Sequence, residues 1–226
     1  MKKVPSHLGI ILDGNRRWAK EKGLPVFEGH RKGLDTAKKI INYAHDKGVN
    51  VLTLFVFSSE NWKRSKMEVN YLMKLLGQAL DKKNIEEFYK QGTKIKVIGQ
   101  REKLPLDLQK KIRETEELTK NNKGMVLNFA LSYGGRAEIV EAIKKIIKSK
   151  INPDRLTEDT ISENLWTSDL DLIIRTGKEQ RISNFLIWQA AYSEFYFCKK
   201  YWPEFGEKDL DEALVDYANR QRRFGA

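Results

Sequence analysis

The chain is expected to fold as an α/β protein, a single domain in which a mainly parallel central sheet is flanked by helices. Three observations lead there. Apolar runs of strand length recur at residues 8–12, 51–57, 95–98, 125–131 and 170–174. Most of them are separated by long segments with helical periodicity, the alternation that crossover connections between parallel strands require. Two of the runs end abruptly in charged residues, at Asp13 and at Arg175, and strand ends are where open α/β sheets place their chemistry.

Taken in order, the first run, Leu8-Gly9-Ile10-Ile11-Leu12, stops at Asp13-Gly14-Asn15-Arg16-Arg17-Trp18. Gly14 permits a sharp turn into a helix suggested by Trp18-Ala19-Lys20-Glu21-Lys22, whose first amides would face an anion held at the strand end. A carboxylate beside an anion site suggests a bridging metal. Capping of the helix is the competing role for Asp13, since aspartate is common before Gly-Asn. The second run, from Leu52 to Phe57, leads into a polar cluster containing Ser58, Glu60, Asn61, Trp62 and Arg64. From Lys66 to Tyr89 the pattern is helical, with Met67, Leu72, Leu75, Leu76, Ala79 and Leu80 on an apolar stripe that Val69 and Met73 widen. Such a stripe serves equally as core or as the wall of an apolar tunnel. The strand at 125–131 closes on Ser132-Tyr133-Gly134-Gly135-Arg136, and the last one runs into Arg175-Thr176-Gly177, followed by Arg181-Ile182-Ser183-Asn184. Glu207 to Arg222 again reads as helix, before the basic end Arg223-Phe224-Gly225-Ala226.

Composition narrows the function classes. With 226 residues, 40% of them hydrophobic, the chain suffices for one sizeable core and is short for two ordinary domains. No apolar stretch approaches the roughly 18–20 uncharged residues of a membrane span, and the start lacks a signal-peptide apolar region, so the expectation is a cytoplasmic protein. A single cysteine, Cys198, excludes an intramolecular disulfide and a cysteine-based zinc cluster. The net charge of +11 favours anionic partners. Its lysines are interspersed with acids along helical stretches rather than gathered into one stripe, and no aromatic-rich nucleic-acid motif accompanies them, so no nucleic-acid partner is expected. A Gly-x-Gly-x-x-Gly turn is absent, since no two glycines stand two apart, and so is a P-loop, since Gly9 and Gly14 are followed by Asn15 and not by lysine.

The blocks Asp13-Gly14-Asn15, Phe57-Ser58-Ser59-Glu60-Asn61-Trp62, Ser132-Tyr133-Gly134-Gly135-Arg136, Arg175-Thr176-Gly177 and Arg181-Ile182-Ser183 resemble, in order, the signature segments of the cis-prenyltransferases, the undecaprenyl diphosphate synthase family. The likeness runs from His7 to Gly225. It implies a sheet with a hydrophobic tunnel and Mg²⁺-dependent condensation of isopentenyl diphosphate onto an allylic diphosphate, giving a Z-configured polyprenyl diphosphate of undecaprenyl type. The alternatives are a divergent member making a short or irregular product and a catalytically silent partner subunit. The Asp-Asp-x-x-Asp motifs of the all-helical trans-prenyltransferases do not occur.

On this resemblance Asp13 is the catalytic carboxylate and a metal ligand, with Glu194 as the second Mg²⁺-associated carboxylate. Gly14, Asn15, Arg17 and His30 would hold the allylic diphosphate. Trp18 belongs to the same block, and so does Arg16, although its place in the first helical turn predicts that it points elsewhere. Arg175, Arg181 and Ser183 correspond to the isopentenyl diphosphate clamp, where guanidinium forks match phosphate oxygens. Ser58, Glu60, Asn61, Trp62 and Arg64 form a loop over the site, and Asn61 or Ser58 is the candidate for helping to remove the isopentenyl proton. Arg223 and Gly225 match a carboxy-terminal Arg-x-Gly that reaches a neighbouring subunit's site, which implies a homodimer. A long product and a basic surface suit weak association with an anionic membrane surface.

Two departures from the family pattern bear on substrate choice. Val26 stands where an arginine that binds the allylic diphosphate is common, and Lys178 and Gln180 replace a frequent glycine and histidine before Arg181. Product length is expected to depend on bulk at the far end of the tunnel, for which Val56, Met73, Leu76 and Met125 are the candidates.

Overall fold

A computed structural model describes residues 4–221. Its centre is a six-stranded, wholly parallel sheet of β1 (His7–Ile11), β2 (Val51–Ser58), β3 (Lys94–Ile98), β4 (Val126–Tyr133), β5 (Leu172–Arg175) and β6 (Glu194–Phe197), in the order β3-β4-β2-β1-β5-β6. Every residue of β1 and of β5 is buried, as expected of parallel strands covered on both faces. Side chains alternate between two cores. Leu8, Ile10, Leu172 and Ile174 join Ile40, Ile41, Trp202 and Leu210 on one face, while Ile11, Ile173, Phe55, Tyr133 and Phe185 form the other. Each fully buried Leu or Ile here contributes on the order of 1.5–3 kcal/mol of burial free energy.

The helices are α1 (Asn15–Glu21), α2 (Val26–Asp46), α3 (Lys66–Ala79), α4 (Lys82–Lys90), α5 (Leu106–Thr119), α6 (Gly135–Lys148), α7 (Glu158–Asn164) and α8 (Glu207–Asn219). No helix of the described residues is long and apolar enough to cross a membrane. The five expected strands are present with ends shifted by one to two residues. β6 escaped sequence reading because Glu-Phe-Tyr-Phe is short and occupies a sheet edge. The helical segment expected from Lys66 to Tyr89 is two helices. It breaks at Asp81, whose extended backbone caps α4 and whose carboxylate, with the Gly77 carbonyl, accepts hydrogen bonds from Lys111 Nζ at 2.6 and 3.1 Å.

The strand order places the functional end. From β1 the chain moves to β2 on one side, and after β4 it crosses to β5 on the other, so the order switches at β1. At such a point the loops after neighbouring strands diverge and leave a crevice beyond their carboxyl ends. Asp13 follows β1, Ser58 ends β2 and Arg175 ends β5, so all three meet at that crevice.

At the opposite end of the sheet His7 is buried in a polar network. Its Nδ1 lies 2.9 Å from the Asp169 carbonyl and donates to it, which leaves Nε2 to accept from the Thr53 hydroxyl at 2.7 Å. Burial pushes its pKa from 6.5 down to about 4, against the backbone carbonyls and Asp171 that favour the cation. The unfolded imidazole takes up its proton near 6.5, so between there and about 4 the unfolded state binds more protons. Stability is therefore expected to fall by about 3 kcal/mol as the pH drops through that window. Urea unfolding at pH 7 and 4.5 tests this, and an unchanged pH slope in His7→Gln would remove His7 as the cause.

Candidate active site

The crevice holds a cleft of about 1200 Å³ lined by Asp13, Gly14, Asn15, Arg16, Arg17 and His30 from one side, Ser58, Glu60, Asn61 and Arg64 from another, and Arg175, Arg181 and Ser183 from the third. Asp13 and Arg175, 162 apart in sequence, thus meet at one cleft. Gly14 turns the chain with φ 109°, and a side chain there would meet the Tyr201 ring at 2.6 Å. α1 then lies so close on α2 that a Cβ at Gly29 would stand 2.1 Å from the Asn15 carbonyl, and one at Gly33 2.4 Å from Asn15 Oδ1. These two glycines in one face of α2 are what seat Asn15 at the cleft floor.

Asp13 is held by its backbone and clamped by its carboxylate. Its amide donates to Thr176 Oγ1 at 3.0 Å, and its carbonyl accepts from Thr176 Oγ1 at 2.8 Å and from the Trp202 amide at 3.0 Å. One carboxylate oxygen meets Arg17 Nη2 at 3.0 Å and the other Arg175 Nη2 at 2.8 Å. Arg175 is almost fully buried and also donates through Nη1 to Ser183 Oγ at 2.8 Å and to the Arg181 carbonyl. That grip holds a loop with two consecutive left-handed residues, Ser183 at φ 49° and Asn184 at φ 65°, a conformation that costs non-glycine residues energy and persists where its surroundings impose it.

Glu179 bridges the two sides. It accepts from Arg17 Nη1 at 2.7 Å and from Arg181 Nη1 at 2.6 Å, and the Arg181 hydrogen bond leads in holding its pKa below the usual carboxylate value. The arginines expected for two different substrates therefore share one carboxylate in this state. Arg17 and Lys178 both lie over the face of Tyr201, at 5.5 and 4.6 Å from its centroid.

His30 sits at the cleft floor with Nε2 3.2 Å from Glu68 Oε1, and burial pushes its pKa down although Glu68 favours the cation. Glu68 also receives Arg64 Nη1 at 3.0 Å, and Arg16 Nε lies 3.8 Å away. Arg16 thus faces the cleft rather than away from it, because α1 buries Ala19 against α2 and turns its Arg16–Lys20 edge toward the opening.

Ser58 and Asn61 lie close together over the cleft, where the Ser58 amide donates to Asn61 Oδ1 at 3.0 Å. Glu60 accepts from Asn184 Nδ2 at 3.2 Å and ties this loop to the Arg181–Asn184 loop. Burial raises its pKa, but the hydrogen bonds to its own amide, Ser58 and Asn184 outweigh that and leave it below the usual value.

Three expected site residues stand apart from the cleft. Trp62 packs edge-on against Phe57 at 5.0 Å and donates to Ser132 Oγ at 2.8 Å, so it anchors the loop from behind. Trp18 donates to Glu204 Oε1 at 3.0 Å beyond the cleft's wall. Glu194 begins β6 opposite Leu172, three register steps short of the Arg175 end, and pairs with Arg220 Nη1 at 2.7 Å, so one chain does not bring it to Asp13. Arg223 and Gly225 lie outside the described residues.

Below the cleft, and sharing Leu12, Asn15, His30, Val56 and Leu72 with it, runs an apolar cavity of about 90 Å³. It lies between α2, α3 and the sheet, with Gly33 and Ala37 leaving room on α2 and Leu75, Leu76 and Ala79 facing them from α3. Of the four length-control candidates, Val56 and Leu76 line this tunnel. Met73 and Met125 are buried in the cores around it and do not line it.

Sequence reasoning missed Glu179, Glu68, Asn184 and Tyr201. Glu179 was findable as the acid between Arg175 and Arg181. Glu68 was hidden because Ser65-Lys66-Met67-Glu68 reads as a helix cap, and Ser65 Oγ does accept from the Glu68 amide.

Comparison with known proteins accords with this geometry. The family profile "Prenyltransf: Putative undecaprenyl diphosphate synthase" matches residues 11–225. The chain is 48% identical over 229 residues to the chloroplastic nerylneryl diphosphate synthase CPT2 of Solanum lycopersicum, covering 98% of this chain and 71% of that one. It is 46% identical over 229 residues to the (2E,6E)-farnesyl-diphosphate-specific ditrans,polycis-undecaprenyl-diphosphate synthase of Micrococcus luteus, covering 98% and 92%. The crystal structure of lavandulyl diphosphate synthase from Lavandula x intermedia in complex with dimethylallyl diphosphate matches with a TM-score of 0.95 at 41% identity, over 99% of both chains. A "probable undecaprenyl diphosphate synthase" from Campylobacter jejuni matches over the whole of both chains with a TM-score of 0.85 at 33% identity. Likeness of this depth over nearly its whole length, in sequence and in fold, makes the chain a member of the undecaprenyl diphosphate synthase family of prenyltransferases.

Proposed function

We propose that the protein condenses isopentenyl diphosphate with an allylic diphosphate and repeats the step to build a Z-configured polyprenyl diphosphate. The observation that carries this reading is continuity: a cleft rich in guanidinium groups around Asp13 opens, through five shared residues, onto an apolar tunnel. A diphosphate head and a growing hydrocarbon tail need those two environments in contact.

In the reaction the allylic C–O bond breaks, the C1 carbon bonds to C4 of isopentenyl diphosphate, and a C2 proton leaves. Negative charge grows on the departing diphosphate, and fixed donors aimed at it stabilise the transition state. In this reading Asn15, Arg17 and His30 would hold the allylic head, and Arg175, Arg181 and Ser183 the isopentenyl head. Each guanidinium already carries a carboxylate, so substrate phosphates would take over positions that Asp13 and Glu179 now occupy. The Asn61 carbonyl is engaged by the Ser58 amide, and neither side chain is basic at neutral pH, so the proton is best handed on to the released diphosphate.

No group of three or more potential metal-ligating residues occurs among the described residues, which is compatible with Mg²⁺, a hard ion that often binds through one carboxylate plus substrate phosphates. Asp13 fits that role. When bound, the ion would neutralise charge on the leaving diphosphate. Glu194 would reach the same ion only from a second copy of the chain. A homodimer is supported by apolar side chains left exposed on α6 and beside β6, among them Val140, Ile143, Ile147, Tyr192 and Phe197. We place the enzyme in the cytoplasm, in loose contact with anionic lipid through its net charge of +11.

The test is incubation of the purified protein with labelled isopentenyl diphosphate, Mg²⁺ and separate dimethylallyl, geranyl and farnesyl diphosphates, with products resolved by chain length. A long Z product from farnesyl diphosphate, abolished by a chelator, is the expected result; a single condensation with every primer would defeat the polyprenyl reading. In the same assay Ala79→Phe, which puts a ring into the tunnel wall beyond Leu76, is expected to shorten the main product by at least one isoprene unit while the first condensation persists. An unchanged distribution would take the tail out of this tunnel.

A further inference from the structure

Six cations line the cleft, and five of them have an acidic neighbour. Arg17 is bound to Asp13 and Glu179, Arg175 to Asp13, Arg181 to Glu179 and Arg64 to Glu68, and Arg16 leans toward Glu68 at 3.8 Å. The sixth, Lys20, has no carboxylate within ion-pair distance among the described residues. It lies one helical turn beyond Arg16 and Arg17 on the same edge of α1, so its ammonium is presented to the same opening. The wall next to it is Leu24, Pro25 and Val26, all of which line the cleft and none of whose side chains can bind a phosphate.

We propose that Lys20 is a substrate-anchoring residue that holds the allylic diphosphate from this otherwise apolar wall, replacing the charge that Val26 does not supply. The inference rests on the condensation proposed above. A diphosphate in the cleft carries two to three negative charges, and its side turned toward Val26 has no other uncommitted cation. Arg16 is drawn the other way, toward Glu68 and Arg64. Because Lys20 is exposed and joined to nothing, it is free to follow the head group, and its single-point charge suits phosphates without demanding the two-pronged geometry of arginine. The selectivity that follows is for the allylic substrate alone, since the isopentenyl clamp of Arg175, Arg181 and Ser183 lies across the cleft.

Lys20→Gln should leave the fold intact, because the side chain is exposed and holds no hydrogen bond or ion pair. It is expected to raise KM for farnesyl and geranyl diphosphates about tenfold, the lower range for one charged contact at an exposed site, and to leave KM for isopentenyl diphosphate within twofold. Calorimetric titration with farnesyl diphosphate alone should show the same weakening without turnover. Val26→Arg in the Lys20→Gln background should restore the allylic KM, because it returns a cation to the same wall. Equal changes in both KM values, no change in either, or failure of Val26→Arg to rescue would overturn the assignment. Absence of turnover by the unaltered protein with every primer would instead strike at the condensation reading itself.

Discussion

Asp13→Ala is expected to lower the rate of condensation at saturating substrate by at least about 10³-fold, in a protein that still folds but melts at a lower temperature. The loss is large because the carboxylate is the hard oxygen donor at the point where the arginines of both heads converge, and removal of one preorganised group at a developing charge already costs about 10²–10³. The fold survives because the backbone at this position keeps its own bonds, amide to Thr176 and carbonyl to Thr176 and Trp202, and the lower melting temperature reflects the buried Arg175 left without its carboxylate. Single-turnover kinetics with labelled isopentenyl diphosphate, alongside thermal unfolding, separate the two effects. A rate within tenfold of the parent would show that the Asp13 carboxylate only holds Arg17 and Arg175 in place, since the cap of α1 is Gly14 with no side-chain bond. Asp13→Asn, which keeps the shape and removes the charge, should be nearly as slow.

Arg175→Leu should damage both stability and binding. Its guanidinium joins three partners, Asp13, Ser183 and the Arg181 carbonyl, from a position that is only 4% exposed. Removing it leaves the loop carbonyl and hydroxyl without their donor and relaxes the left-handed backbone at Ser183 and Asn184. A loss of about 2–3 kcal/mol is expected, short of the full cost of breaking a buried pair because Asp13 keeps Arg17. KM for isopentenyl diphosphate should rise by about 10²-fold and KM for the allylic substrate far less. Denaturant unfolding and the two KM values measure this, and Arg175→Lys should recover part of the stability but not the two-pronged phosphate contact. A parallel rise in both KM values would mean that Arg175 acts by shaping the cleft and not by holding one head group.

Much of the site was legible in sequence because a strand that must be buried on both faces cannot carry charge until it ends. Asp13 and Arg175 announced themselves as the first charges after uninterrupted apolar runs, and Ser183 and Arg181 follow Arg175 closely enough to share its loop. Periodicity also located the tunnel wall on α3, where Leu72, Leu75, Leu76 and Ala79 face the cavity. It could not tell these from Met73, which lies on the same stripe and is packed in the core. The difference arises across the gap, where Gly33 and Ala37 of α2 withhold bulk, and one helix's pattern carries no information about its neighbour's volume.

Five of the six strands, their alternation with helices in a mainly parallel sheet, the charged strand ends and the family were legible in the sequence alone, since strand and helix patterns and motifs depend on residues close together in the chain. Pairing across the chain was decided only by the tertiary structure. That Glu179 links Arg17 to Arg181, that Glu68 gathers His30, Arg64 and Arg16, that Trp18 and Trp62 turn away from the cleft, and that Glu194 is separated from Asp13 all follow from where the sheet order switches at β1 and from how closely α1 settles onto the glycines of α2. Hydrogen bonds and ion pairs act over a few ångströms, so their partners are chosen by the packing that brings surfaces together and not by distance along the chain.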